Sequence, residues 1–317
     1  MSVTIPVYNN MSYRTGSGMP ADAGANLLPL QGPGGIANGV GLWLTNPTDA
    51  GATPNWENFD AYLETLDPTL PFIPDHELWI EHACEILESD PAIRTKYRNW
   101  IGLFYEKLHR RHPNYAPKKD GSNVATGMFG FTTGTYPTVD TDAAKAIWRN
   151  RQLELGLSTT GAYPRGVFEK VSVINPNLYI SNSNRTQMTD IVVNNLKIAR
   201  EASGGKPVWT YFSPRYNISG YTDVSLRGHF LREDDFSYYF QLVAELSDAI
   251  VMWDWDGYGD SEANTWERYP ATYGDPAAAY NSSYPAGWGV GALYGDPDYP
   301  EDNWAWLIRL KELMGVS

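Results

Sequence analysis

A single α/β domain spanning residues 1–317, built as a TIM-type (β/α) barrel, is what three features of this sequence predict. Short β-like runs alternate with amphipathic helical stretches, a pattern that calls for parallel strands joined by crossover helices. Seven such strands spread between residues 3 and 255 suit a barrel better than an open doubly wound sheet. No Gly-rich phosphate loop follows the first strand, so the dinucleotide-binding alternative lacks its signature. No polar linker separates two apolar halves.

The strands are expected at 3–8, 39–45, 70–75, 124–132, 171–180, 207–213 and 249–255. Helical periodicity occupies about 55–66, 79–88, 92–112, 141–156, 186–203, 233–247 and 303–314. Asn55 and Asp302 stand where the first and last of these helices start, and both are side chains that cap helices. Residues 12–38 and 256–302 are rich in Gly, Pro, Asp and Tyr and read as long loops. In a barrel, loops at the C-terminal ends of the strands build the site.

Composition narrows the function. The formal net charge is −13, and no stretch gathers enough Lys and Arg to neutralise a row of phosphates, so nucleic acid is not expected as a partner. No window reaches the roughly 18 consecutive apolar residues that a membrane-crossing helix needs. The first residues lack a basic start and an apolar run, so no secretory signal is visible. The single cysteine, Cys84, lies in an apolar-periodic stretch and reads as a buried, inert thiol. Twelve Trp and 21 Tyr concentrate at strand ends and in Gly-rich loops. Their flat faces and polar edges suit the CH faces and hydroxyls of sugar rings.

The sharpest local signal is LPFIPDHELW at 70–79. Alternation along a strand turns Asp75 and Glu77 to one side and His76 to the other. At the C-terminal end of a barrel strand, that side is the mouth. Two carboxyl groups so close cannot both ionise freely, and the one that keeps its proton can donate it to a leaving oxygen. Glycosidic cleavage needs such an acid, together with something to stabilise positive charge at the anomeric carbon. The competing reading is a pair of solvated carboxylates where a strand runs into a helix. A metal site is not expected, because alternation separates His76 from both carboxylates and the other histidines do not converge.

With this pair placed, the chain resembles the hyaluronidase family of glycoside hydrolases. In that family a strand ends in Asp-x-Glu followed closely by Trp, and here the run is Asp75-His76-Glu77-Leu78-Trp79. FGF at 129–131 resembles the family's Trp-Gly-Tyr/Phe strand, with Phe129 in place of Trp. NPNLYIS at 175–181 resembles its Pro-Ser-hydrophobic-Tyr strand and aligns Tyr179 with a site tyrosine. KPVWTYFSPRYN at 206–217 aligns Tyr216 with a second, and the closing helix and strand within 230–257 align Trp253 with the site tryptophan. The resemblance runs over about 36–257.

It implies a distorted barrel and retaining hydrolysis at N-acetylhexosamine linkages, with the substrate's own acetamido oxygen as nucleophile. It further implies Glu77 as acid and then base, and Asp75 as the group that orients the acetamido. Tyr179 and Tyr216 become hydroxyl donors and Trp253 an apolar wall. Trp79, Phe131 and Asp254 join them as substrate-contact candidates, as does Trp43 at the end of an early strand. No cofactor is implied. The departures are an absence of disulfides and of a basic groove: Arg215 and Arg227 alone make no polyanion track, so a neutral or weakly charged N-acetylated glycan suits this chain at least as well as hyaluronan.

Rival readings stay open at this point. Tyr179 and Tyr216 could be rim tyrosines, and Trp253 could be core. Asp254 and Asp256 could be partners of the acid, calcium ligands with Asp260, or loop acids. One of the two could also be a protein nucleophile with Glu77 as acid. The barrel could instead be a non-catalytic glycan-binding or structural module of a virion or envelope. A glycan substrate points to extracellular or virion-associated action.

Overall fold

In the computed structural model, the residues described are 3–11, 26–31, 54–74, 90–130, 167–217, 222–223, 231–254 and 305–316. Strands β1 (Val7–Asn9), β2 (Leu28–Pro29), β3 (Asn177–Ile180), β4 (Trp209–Tyr216) and β5 (Ala249–Met252) form a parallel sheet in the order β2-β1-β5-β4-β3. The first strand therefore lies beside the last, with Val7, Tyr8 and Asn9 level with Ile250, Val251 and Met252. The helices are α1 (Trp56–Glu64), α2 (Pro91–Arg111), α3 (Val167–Lys170), α4 (Arg185–Ala202), α5 (Glu233–Leu246) and α6 (Ala305–Met314). A 3₁₀ turn at Pro113–Tyr115 follows α2.

Local chemistry explains where these helices start and which face they bury. Asn55 caps α1 by accepting from the Asn58 N–H at 3.2 Å, and Phe59 and Leu63, four apart, are its buried stripe. Asp90 caps α2 through the Ala92 N–H at 2.7 Å, with Pro91 in the first turn, where a missing N–H costs nothing. Tyr97, Ile101, Phe104, Tyr105 and Leu108 form its buried face, and Arg110 and Arg111 complement the negative end of the helix dipole. Glu233, Asp234 and Asp235 do the reverse at the first turn of α5.

By backbone proximity the chain divides into two compact units. The first comprises Met1–Leu28, Leu178–Val193 and Thr210–Ser317, and the second Pro29–Asn177 and Asn194–Trp209. In the second, parallel bridges join Gln31 to Phe72, Phe72 to Thr126, and Ile174 to Val208. Asn175 knits these segments: its Oδ1 accepts from the Met128 N–H at 3.2 Å and its Nδ2 donates to the Trp209 carbonyl at 3.1 Å. Gly127 is required beside it, because a Cβ there would lie 1.6 Å from the Asn175 carboxamide oxygen. Phe72 is fully buried against Phe104 and Tyr115. Burial, with the Lys170 charge beside it, holds the His109 imidazole down to about 4, so it stays neutral here at pH 7.

Most expected elements fall within a few residues of their observed bounds. Among described residues the strands expected at 70–75 and 124–132 are present only as the isolated bridges of Phe72 and Thr126, α3 stands where no helix is expected, and 12–38, expected as loop, contains β2 at Leu28–Pro29 and the Gln31 bridge. This strand is two residues long and carries a proline, so it has no alternating pattern to display. Its neighbour Gln31 is drawn into pairing by its own side chain, which donates to the carbonyls of Asp67 and Leu70 at 2.7 and 3.3 Å. The strand expected at 39–45 and the helices expected at 79–88 and 141–156 lie outside the described residues.

Candidate functional site

The C-terminal ends of β3, β4 and β5, all within the first unit, carry the described part of the site. Register follows from three bonds. The Trp253 N–H donates to the Phe212 carbonyl at 3.0 Å, the Asn10 N–H to the Met252 carbonyl at 2.9 Å, and the Asn217 N–H to the Ile180 carbonyl at 2.8 Å. In a parallel ladder these bonds set Asn10, Trp253 and Ser213 level with one another, and Arg215 level with Tyr179.

The two faces of β4 have different partners. Phe212 packs on Phe236 and Phe240 of α5, with ring centroids 5.8 and 6.0 Å away. Tyr216, four residues on and so on the same face, donates its hydroxyl to Asp235 Oδ2 of the same helix at 2.8 Å and accepts from the Arg232 N–H at 3.3 Å. Tyr211 and Arg215 point the other way. The Asn10 carboxamide donates to the Tyr211 hydroxyl at 3.5 Å, and Arg215 Nε donates to Asp254 Oδ1 at 2.7 Å.

On that second face Tyr179 and Trp253 come together, ring centroids 5.5 Å apart and planes inclined by 36°. Their strands flank β4 and so run about 9.5 Å apart, with Tyr179 two residues further along. At the Trp253 level the strand between them carries only the short Ser213 side chain. Both rings are half-buried, leaving aromatic surface for a ligand. Arg215 and Asp254 lie next to them and are almost wholly buried, at 4% and 0% exposure.

Among the sequence-derived candidates, then, Tyr179, Trp253 and Asp254 gather at one end of the sheet. Tyr216 does not join them: its placement commits the hydroxyl to helix α5, at variance with the substrate contact that its motif implies. Asp75, Glu77, Trp43, Trp79 and Phe131 lie outside the described residues. The segment leading to the carboxylates is described as far as Pro74: Phe72 forms isolated bridges with Gln31 and Thr126, and the Pro74 carbonyl accepts from the Phe129 N–H at 3.0 Å. The sequence singles out Asp254 but not Arg215 as its partner, and it does not single out Asn10 or Tyr211. A charged residue inside the apolar run PVWTYFSPRY was the available signal, since a buried arginine needs a counter-ion. Among the described residues no cluster of His, Cys, Asp and Glu could hold a metal ion, and no helix is long and apolar enough to cross a membrane.

No protein-family model and no curated protein sequence matches the chain. The fold does match. The crystal structure of bee venom hyaluronidase in complex with a hyaluronic acid tetramer superposes with a TM-score of 0.50 at 13% identity, over 87% of this chain and 98% of that one. A monoclinic crystal structure of bee venom hyaluronidase gives 0.48 at 13% identity, over 86% and 99%. The motifs and the first of these superpositions point the same way: this chain has a hyaluronidase-like α/β fold.

Proposed function

We propose that the chain is a glycoside hydrolase, a single distorted (β/α)-barrel domain that cleaves N-acetylhexosamine-containing polysaccharide with retention and substrate assistance. The observation that carries the reading is the half-buried pair of Tyr179 and Trp253 at the C-terminal end of a parallel sheet with a hyaluronidase-like fold. A solved structure of that fold holds a hyaluronic acid tetramer, which supports a polysaccharide as substrate.

In this mechanism Glu77 protonates the glycosidic oxygen as the acetamido oxygen of the same sugar attacks the anomeric carbon. A cyclic oxazolinium forms and the leaving sugar departs. Glu77, now ionised, takes a proton from water as that water opens the ring, and the acid is restored. Asp75 holds the acetamido N–H and offsets the positive charge that develops on the ring. Trp253 walls the N-acetyl methyl, and Tyr179 supplies a hydroxyl beside it. Trp43, Trp79 and Phe131 extend the sugar-binding surface. Asp254 is bonded to Arg215 in a dry environment, which argues against using it as the protein nucleophile. Tyr216 has no substrate contact in this scheme.

The test is Glu77→Gln assayed for new reducing ends on an array of N-acetylated polysaccharides. Removing a general acid and base should lower turnover by about 10²- to 10⁴-fold. Thermal unfolding and oligosaccharide binding should stay close to wild type. A variant that cleaves as fast as wild type would remove Glu77 from the mechanism. Wild-type protein that binds the glycan and releases no product would make the domain a binder.

A further inference from the structure

We infer that the seam between α2 and α3 is an acid-released clasp, in which a proton taken up by His109 parts the two helices while the rest of the second unit stays folded. The helix α3 lies against α2, and the groups that meet there are titratable. Glu106 and His109 stand one turn apart on α2, with the Tyr105 ring centroid 6.2 Å from that of the imidazole. From α3 comes Lys170, whose ammonium reaches Glu106 at 3.8 Å and whose charge acts on His109. Glu169 is exposed and acts on Lys206 instead. The other charges at this end of α2 are turned elsewhere: Lys107 to Asp60 and Arg111 to Glu64 of α1, and Arg110 to water. His112 meets the Leu63 carbonyl.

His109 Nε2 is buried and has no hydrogen-bond partner. A neutral imidazole tolerates this, because that nitrogen can be the unprotonated one. An imidazolium does not. Both of its nitrogens carry protons, so a charged N–H would sit in a dry place with no acceptor, beside the Lys170 ammonium. Opening the seam hydrates the ring and separates the two cations. Burial first, then the Lys170 charge, hold the imidazole down from 6.5 to about 4. The closed seam therefore binds this proton less tightly than the open one. Its stability is full above about pH 6.5 and is lost as pH falls to about 4. A second attachment of α3 is one that acid leaves charged. Lys206 Nζ donates to the Phe168 and Val171 carbonyls at 2.7 and 2.5 Å and lies 4.4 Å from the Phe168 ring centroid. The same ring fits against Gly204, where a Cβ would come within 2.8 Å of it. So α3 stays tied to the chain ahead of β4 as it leaves α2.

The experiment is hydrogen–deuterium exchange of the full chain between about pH 7.5 and 4, corrected for the intrinsic exchange rate at each pH. Protection over 167–171 should fall by up to about tenfold per pH unit below about 6.5, and by about 300-fold in all, while β4 and β5 keep theirs. His109→Gln, which is neutral throughout, should abolish the pH dependence. Lys170→Met removes the smaller of the two causes, so it should reduce the total change and leave part of it. In wild type the His109 imidazole, followed by NMR, should stay neutral well below pH 6, and this reading stands even if His109→Gln does not fold. An imidazole that titrates at its ordinary value overturns the inference, as does an unchanged pH dependence in His109→Gln. Protection over 167–171 that is flat with pH also overturns it. So does protection lost across the whole chain at once, which would be ordinary acid denaturation.

Discussion

Arginine meets aspartate twice in the first unit, and the two meetings have opposite settings. Arg215 and Asp254 are 4% and 0% exposed and joined at 2.7 Å. Arg185, 45% exposed, bridges Asp234 and Asp235, which are 72% and 22% exposed, at 2.8 and 2.5 Å. The distances are nearly the same, so geometry alone would rank the clusters as equals. Burial separates them. Water screens the outer pair and stands ready to solvate either partner left behind, whereas the inner pair is shut away from water. The same two side chains thus make a surface clasp in one place and, in the other, a contact from which neither partner can be removed alone without a large cost.

The comparison is broken most directly by Asp254→Ala. It takes the bonded carboxylate from a buried guanidinium and should cost about 3–5 kcal/mol in chemical denaturation. Replacing both partners with apolar residues of similar volume, Arg215→Met with Asp254→Leu, should return most of that loss. If the single variant lost less than about 1 kcal/mol, the pair would behave like a surface contact and the distinction would be void.

A smaller effect is expected at Tyr216, which links the two settings. Its ring is buried at 1% exposure, while its hydroxyl reaches the partly exposed Asp235. Tyr216→Phe removes one hydrogen bond to a charged acceptor, and about 1–2 kcal/mol of stability should go with it. With the hydroxyl held at α5, kcat/KM should be unchanged. A large fall in kcat with unaltered stability would instead place the hydroxyl on the substrate, as the motif resemblance implies.

Tyr216 also shows what the sequence makes legible and what it does not. The run KPVWTYFSPRYN identifies a strand, and β4 is there. Which side chains face the helices depends on contacts with α5, more than a dozen residues further on, and no local pattern reports it. All of β4 from Thr210 to Tyr216 is buried, so the alternation of polar and apolar residues that would mark the two faces is missing. Arg215 and Asp254 are 39 residues apart, and neither alone announces the other. The nearness of Tyr179 and Trp253 is easier to read, because each closes a strand with a short recognisable motif and strand ends in a parallel sheet converge by construction. The expectation for Asp75 and Glu77 rests on alternation along LPFIPDHE, and the described segment, bridged at Phe72, stops at Pro74, one residue before it can be read.

The least effect belongs to Arg185→Ala. The guanidinium is held above its ordinary pKa first by its bond to Asp235, and it also lies 5.1 Å from the Tyr238 ring centroid. Such contacts give a picture of strength. Yet the group is nearly half exposed, and each member can be rehydrated when the other leaves, so the loss should be under about 1 kcal/mol. Three acids in the first turn of α5 should soften it further in one direction only: the helix dipole holds them favourably whether or not Arg185 is present. The difference between variant and wild type should shrink as salt is raised, because a Debye length of about 3 Å at 1 M screens exposed charges. A loss near that of Asp254→Ala, insensitive to salt, would mean that the clasp on α5 and the buried pair are one network with a shared role in holding β4.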